Sequence, residues 1–381
     1  MTSRDFLRRM PDADASFERR QALFWRLHVD LPLFVLVLLI CAYGLVILFS
    51  AVDQSPDRFF SQVSRLGAGL VVMMIAAQVP PRTLQRWAAA FYGVGVVLLV
   101  AVLVFGSSAK GAQRWIEVPG LPRFQPSEMM KLAVPIMIAA HFADRALPPR
   151  FMPVLGALVL IAVPAALIAV EPDLGTAILV AGSGVAVLLL SGIRWTWVLS
   201  ALMAVLAALP ALWYVMQDYQ RRRVLTLFDP ESDPLGAGWN IIQSKTAIGS
   251  GGLFGKGLFQ GTQSHLDFLP ESHTDFIIAV MAEELGFIGV ALLLFLYFLL
   301  ITRGLFIATQ AQDSFGRLLA GGIAITFFTY LFVNIAMVSG LLPVVGVPLP
   351  LVSFGGTSAL TLMAGFGILM SVHTHRKLLH A

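Results

Sequence analysis

The chain has 381 residues, of which 57% are hydrophobic and only 13% are charged, with a formal net charge of +4 at pH 7. Soluble domains carry about 25% charged residues, so this composition excludes an ordinary soluble enzyme. The mean hydropathy of +0.81 agrees. In a membrane protein an excess of basic residues usually reflects the orientation of the loops across the membrane. The net charge is therefore not a sign of a nucleic-acid partner. The single cysteine, Cys41, excludes an internal disulfide.

Apolar runs in chain order predict an all-α polytopic membrane protein with about ten transmembrane helices. A hydrocarbon core about 30 Å thick needs about 20 apolar residues per helix. The predicted spans are 31–51, 62–79, 88–106, 127–143, 153–170, 174–191, 196–215, 275–300, 317–340 and 357–374. We therefore expect a membrane domain over 30–375, with cytoplasmic tails over 1–29 and 376–381.

The distribution of basic residues predicts which side each loop faces. Short loops with Arg82, Arg145 and Arg303 alternate with less basic connections, and both tails are basic. Because basic residues concentrate in short cytoplasmic loops, we expect these loops and both tails in the cytoplasm. The opposite side then holds the loop 107–126 and a large extracytoplasmic loop, 216–274, between the seventh and eighth spans.

The first polar cluster lies in and just after the loop 107–126. Lys110, Arg114 and Trp115 precede Glu128 and Lys131, which are spaced i, i+3 and therefore share one face of a helix. The pair could simply lock helix packing, and Arg114 with Trp115 could be an interfacial anchor. Cations kept on the outer face, taken together, favour an anionic ligand.

The second cluster is a hairpin between the fifth and sixth spans, where Glu171 and Asp173 flank a proline. Asp173 precedes an apolar helix, so capping of that helix is one interpretation. The alternative is that Asp173 organises an outer-face site, either directly or through a divalent cation.

The third cluster lies where the large loop enters the membrane. His273 and Asp275 precede an apolar run that contains Glu283 and Glu284. Burial would raise the pKa of Asp275, whereas a helix N-terminus would lower it. Asp275 is therefore a candidate general base or a helix cap, and His273 is the rival base.

Two glycine- and proline-rich stretches complete the pattern. Ile248–Gly257 is too rich in glycine for a regular helix and lacks the Gly-Lys-Ser/Thr ending of a nucleotide-binding P-loop. Gly340–Thr357 contains three prolines and cannot be a regular helix either. Irregular backbone at membrane depth is tolerated only against protein or a cavity, so this stretch lines a site or is a connecting loop.

Seven of these segments, in order, resemble the SEDS family (shape, elongation, division, sporulation). The matching segments are Lys110–Trp115, Gln125–Lys131, Pro172–Thr176, Asp229–Gly238, Gln243–Gly257, Phe268–Gly286 and Gly340–Gly356. Within the family, the chain resembles the members that act in cell elongation and maintain rod shape.

The resemblance implies an inverting peptidoglycan glycosyltransferase that acts on lipid II, a disaccharide pentapeptide on an undecaprenyl pyrophosphate carrier. It places the essential aspartate of the family at Asp275. A pyrophosphate leaving group needs cations, which Lys110, Arg114 and Arg221 could supply, although Arg221 could instead contact lipid headgroups. The expected substrate-binding residues are Lys110, Arg114, Trp115, Glu128, Lys131, Asp173, Arg221 and His273. No metal ligand set is evident, although Mg²⁺ could share the neutralisation of the leaving group.

The resemblance also implies partners and a location. We expect a class B penicillin-binding protein (penicillin-binding protein 2) and the elongation machinery as partners. We expect the bacterial cytoplasmic (inner) membrane, with the active site facing the periplasm. The rival functions are a lipid II flippase and a non-catalytic scaffold of the elongation machinery. Asp275 discriminates between them, since only an enzyme needs a base there.

Overall fold

The computed structural model describes residues 27–52, 54–109, 112–116, 123–216, 218–232, 236–265 and 272–375. The elements in chain order are α1 Leu31–Ala51, α2 Pro56–Gln78, α3 Pro81–Phe105, β1 Ser107–Ala109, β2 Ala112–Trp115, α4 Pro126–Ala143, α5 Phe151–Val170, α6 Leu174–Leu190, α7 Trp195–Val215, α8 Asp218–Phe228, a 3₁₀ turn Pro230–Ser232, α9 Ala237–Gly251, α10 Thr262–His265, α11 Ile277–Thr309, α12 Ser314–Val338 and α13 Thr357–Thr374. Strands β1 and β2 form an antiparallel hairpin.

Every predicted span coincides with a helix, namely α1 to α7 and α11 to α13. Seven of these helices (α1, α2, α3, α5, α11, α12 and α13) are long and apolar enough to cross a membrane. Helix α6 and the stretch Trp195–Ala211 of α7 are shorter apolar helices, and α4 carries Glu128 and Lys131. The chain is therefore a multi-pass membrane protein, and the count of ten spans stays a prediction.

Helices α2 and α3 begin before the predicted spans, at Pro56 and Pro81. Proline suits the first helical position, because its missing N–H would have no partner there and its fixed φ matches the helix. The polar first turns of both helices concealed these starts from a search for apolar runs.

The residues next to the two ends of the described chain meet at one end of the bundle, which we call the terminal face. The rings of His28 and His375 stack with centroids 3.9 Å apart. Asp30 accepts a hydrogen bond of 3.1 Å from Arg303 Nε, and His373 Nε2 lies 3.4 Å from its other oxygen. The start of α1, the end of α13 and the second half of α11 therefore lie together.

Helix α12 lies at the centre of the bundle and packs against α4, α6 and α11, while α13 packs along α2. Helix α7 lies at the opposite extreme. Its side chains Leu199, Leu202, Met203 and Leu206 are all at least half exposed. An apolar helix with this exposure suits direct contact with lipid.

The described part of the predicted large loop 216–274 contains three helices, α8, α9 and α10. The prediction that Ile248–Gly257 avoids helix is wrong for its first four residues, which belong to α9. Close packing explains the difference: a Cβ on Gly251 would lie 1.9 Å from the carbonyl oxygen of Ala282 in α11. Packing against α11 thus offsets the low helix propensity of glycine.

The rest of the glycine-rich stretch, 252–257, forms hydrogen bonds with the backbone of α11 where that helix is interrupted. Gly286 has a φ of 67° and interrupts the helix. Lys256 and Gly257 donate backbone hydrogen bonds of 3.0 and 2.9 Å to the carbonyls of Glu283 and Glu284. In return, Phe287 N donates to the Gly252 carbonyl over 2.9 Å. The backbone groups that the break frees are thereby satisfied, as an apolar environment requires.

Candidate functional site

A polar cavity of about 180 Å³ lies where α4, α6 and α13 begin and α12 approaches its end. The terminal face includes the opposite ends of α12 and α13, so the cavity lies at the far end of the bundle. Its lining residues are Arg114, Trp115, Gln125, Glu128, Lys131, Asp173, Thr176, Leu179, Tyr330, Gly346, Val347, Pro348, Gly355, Gly356, Thr357 and Ser358. The structure thus brings Arg114, Trp115, Glu128 and Lys131 of the first predicted cluster, and Asp173 of the second, together with the stretch 340–357.

Arg114 connects the β-hairpin to the α5–α6 hairpin. Its Nη2 donates a hydrogen bond of 3.0 Å to the carbonyl of Pro172, and its Nε lies 3.5 Å from Asp173 Oδ2. Trp115 follows it on β2 and also lines the cavity.

Asp173 caps a helix and lines the cavity at once. Its Oδ1 accepts from Thr176 N at 3.2 Å, so the capping interpretation is confirmed. Its Oδ2 accepts from Gln125 Nε2 at 3.2 Å, and the residue is only 4% exposed. A second role in the cavity is compatible with the cap, because the two carboxylate oxygens have different partners.

Glu128 and Lys131 form a direct ion pair, as their spacing predicts. Both side chains are buried, and Lys131 Nζ lies 4.8 Å from the centre of the Tyr330 ring. Because Arg114 also faces a carboxylate, that of Asp173, the formal charges of the described lining cancel. The cavity is therefore polar but close to neutral.

Asp275 lies in the turn that precedes α11, beside the cavity wall. The N-cap of α11 is Phe276, so Asp275 does not occupy the capping position. Asn334 Nδ2 donates to the Asp275 carbonyl at 2.9 Å and to the Val347 carbonyl at 2.7 Å. A Cβ built on Gly346, which lines the cavity, would lie 3.5 Å from Asp275 Oδ2. The carboxylate thus lies directly against the wall.

The loop before α13 ties this turn to the cavity rim. Phe354 N donates to the His273 carbonyl at 2.9 Å, and the two rings meet edge to face at 5.8 Å. Gln62 of α2 donates to the Ser353 carbonyl at 3.2 Å and accepts from Gly355 N at 3.3 Å. Sequence reasoning missed Gln62, whose signal was a polar residue at the edge of an apolar span.

Two predicted binding residues, Arg221 and His273, do not line the cavity, and Lys110 falls outside the described residues. Arg221 donates to the carbonyls of Trp213 and Tyr214 at 2.9 and 2.8 Å and lies 3.8 Å from Asp218. It therefore fastens α8 to the end of α7 and does not line the cavity.

Glu171 is a second residue to which sequence reasoning gave no separate role. It is 1% exposed, and within the described chain neither carboxylate oxygen has a hydrogen-bond partner. Burial raises the pKa of Glu171 to about 8, with Asp173 adding to the shift and Arg114 opposing it. Glu171 therefore holds a proton at neutral pH, next to the Arg114–Asp173 pair.

No described group of three or more His, Cys, Asp or Glu side chains is arranged to hold a metal ion. The cavity carboxylates Glu128 and Asp173 are instead each engaged with a cation of the chain.

The comparisons with known proteins agree over nearly the whole chain. The family of FtsW, RodA and SpoVE, described as "Cell cycle protein", matches residues 30–378. "Peptidoglycan glycosyltransferase MrdB" of Escherichia coli K12 is 54% identical over 358 residues, which cover 93% of this chain and 96% of that protein. "Probable peptidoglycan glycosyltransferase FtsW" of Trichlorobacter lovleyi is 38% identical over 92% of this chain and 94% of its own length.

Solved structures share the fold. A chain from a peptidoglycan synthase complex, studied for the coordination of polymerization and crosslinking, superimposes with a TM-score of 0.81 at 34% identity. That match covers 92% of this chain and 98% of the other. Thermus thermophilus Rod shape determining protein RodA gives a TM-score of 0.69 at 30% identity, over 91% and 98% of the two chains. The chain therefore belongs to the FtsW, RodA and SpoVE family of cell cycle proteins, which is the SEDS family that its motifs resemble.

Proposed function

We propose that the chain is a peptidoglycan glycosyltransferase that polymerises lipid II into glycan strands during cell elongation. The observation that carries the proposal is the position of Asp275, whose carboxylate lies against the wall of a polar cavity at one end of a membrane bundle. The 54% identity to a protein named for this activity supports it.

Asp275 acts as the general base in this proposal. It accepts the proton of the acceptor 4-hydroxyl while that oxygen attacks the anomeric carbon of the donor. The linkage inverts, and the lipid diphosphate leaves. Asn334 supports the geometry, since it fixes both the Asp275 turn and the wall residue Val347. A positioned base contributes roughly 10²–10⁴-fold to such a reaction.

The diphosphate requires positive potential, and the start of α13 supplies it. Gly355, Gly356, Thr357 and Ser358 line the cavity, and the N-cap Gly356 provides no side-chain cap. Backbone N–H groups and the dipole at a helix N-terminus favour anions. In this proposal Arg114 and Lys110 are the cations that help to bind the diphosphate. The reaction as proposed needs no resident metal. A divalent cation that takes part would arrive with the diphosphate.

The proposal places the chain in the bacterial inner membrane, with the cavity facing the periplasm and the terminal face in the cytoplasm. The basic short loops support this orientation. A class B penicillin-binding protein is the proposed partner, docking through its single membrane helix and its periplasmic part. The likeness to a chain of a peptidoglycan synthase complex supports a partner that crosslinks strands.

Purified lipid II tests the function directly. The protein, reconstituted with and without its penicillin-binding partner, is expected to convert fluorescent lipid II into long glycan strands. If lipid II instead crosses liposome membranes without polymerising, the chain is a flippase. If neither occurs in the complex, the scaffold interpretation replaces the enzyme.

A further inference from the structure

The cavity contains polar atoms that the protein itself leaves unpaired. Among the described residues, Tyr330 Oη and Glu128 Oε2 are buried without a hydrogen-bond partner. Both residues line the cavity. Buried polar atoms are almost always hydrogen-bonded, so an exception in a cavity wall points to a ligand that provides the missing partners.

Packing alone does not explain the hydroxyl of Tyr330. The residue is 1% exposed in the second half of α12, and a phenylalanine ring would fill the same space. Tyr297 shows the usual arrangement, because it is equally buried but its hydroxyl donates to the Pro350 carbonyl at 2.5 Å. Tyr330 lines both the cavity and a smaller void beside it, and Glu128 and Lys131 line the same two spaces.

The chemistry of this wall defines the group that it would hold. Tyr330 offers a donor and Glu128 Oε2 offers an acceptor, while the nearby ion pairs cancel in charge. An ionised diphosphate has no N–H or O–H to donate to Glu128 Oε2, so it is assigned to the start of α13 in the same cavity. A secondary amide fits, because its carbonyl accepts from Tyr330 and its N–H donates to Glu128. Leu179 and Val347 pack with Tyr330 and provide an apolar contact for a methyl group.

We propose that Tyr330 and the unpaired oxygen of Glu128 form a subsite for the acetamido group of an N-acetylated amino sugar. This subsite rests on the proposed function and adds the part of the substrate that it recognises. A hexose hydroxyl can also accept from Tyr330 and donate to Glu128. Selection of N-acetylated sugars therefore rests on the methyl group and its apolar contact with Leu179 and Val347.

Tyr330→Phe tests the subsite because it removes one oxygen and keeps the ring. We expect kcat/KM for lipid II polymerisation to fall at least tenfold, with a melting temperature that is unchanged or higher. Tyr297→Phe is the matched control, which should melt earlier because it leaves the Pro350 carbonyl unpaired. A Tyr330→Phe protein that polymerises within twofold of wild type overturns the proposal.

A binding experiment separates the subsite from the polymerase activity. In saturation-transfer NMR with the full chain in nanodiscs, N,N′-diacetylchitobiose should be saturated most strongly at its acetyl methyl groups, and cellobiose should show no effect. The acetyl signal should fall at least fivefold in Tyr330→Phe. Equal saturation of both sugars, or an unchanged signal in the variant, refutes the subsite even if polymerisation is confirmed.

Discussion

At the scale of single residues, the cavity is built from groups that each hold the structure and face the site. Asp173 caps α6 with one oxygen and binds Gln125 with the other. Glu128 pairs with Lys131 through one oxygen only. Charges placed where polar loops meet apolar runs made these residues predictable from the sequence. Gln62 and Tyr330 were not predictable in this way. The only signal of Gln62 was its polarity at the edge of an apolar span, and Tyr330 within such a span has no distinctive pattern.

Glu171 gives a pH-dependent prediction. Its pKa is about 8 in the folded protein against an ordinary value of 4.5, so the folded state holds a proton that the unfolded chain releases. Between pH 4.5 and about pH 8, the contribution of Glu171 to the free energy of unfolding falls as pH rises. Above about pH 8 this contribution is constant. Thermal melts in detergent should therefore show a steeper decline with pH for wild type than for Glu171→Gln. Parallel pH profiles for the two proteins would refute the assignment.

At the scale of elements, the sequence predicted helices where bilayer thickness fixes their length, as in α1 and α5. It did not predict the folded part of 216–274. Helix α9 forms although it ends in glycine-rich sequence, because Gly251 packs against the backbone of α11. That contact joins residues about thirty positions apart, and no local pattern reveals it.

The glycine-rich stretch gives a matched pair of variants. Gly255 has a φ of 78°, and a Cβ there would lie 2.1 Å from the carbonyl oxygen of Glu284. Gly255→Ala should therefore destabilise the protein by at least about 2 kcal/mol through overpacking and backbone strain. Gly249→Ala is the control, since Gly249 lies in α9 with nothing within 4 Å of its Cβ position. The control should be neutral or stabilising by up to about 1 kcal/mol. Equal melting temperatures for the two variants would contradict the packing account.

At the scale of the whole molecule, the two opposite ends of the bundle differ in structure. The terminal face joins the start of α1 to the end of α13 through Asp30, His28 and His375. The other end holds the cavity and Asp275. The apolar side chains of α7 project from the bundle and are expected to meet lipid.

Cysteine labelling tests the orientation of these ends. Thr246 is exposed on α9, and Gln310 is exposed at the end of α11 near the terminal face. Thr246→Cys should react with an impermeant maleimide from the periplasmic side, and Gln310→Cys only after the membrane is opened. The native Cys41 is buried and should stay silent. Labelling of Thr246→Cys from the cytoplasmic side alone would reverse the proposed topology.

The central claim is that Asp275 accepts the proton of the acceptor hydroxyl. The rate of lipid II polymerisation by purified Asp275→Asn protein, in complex with its partner, tests this most directly. Asparagine keeps the shape but cannot take the proton, so the rate should fall at least about 100-fold with folding and partner binding intact. Asp313→Asn is the control, because Asp313 caps α12 near the terminal face and asparagine caps equally well. Polymerisation by Asp275→Asn at a rate close to wild type would contradict the account.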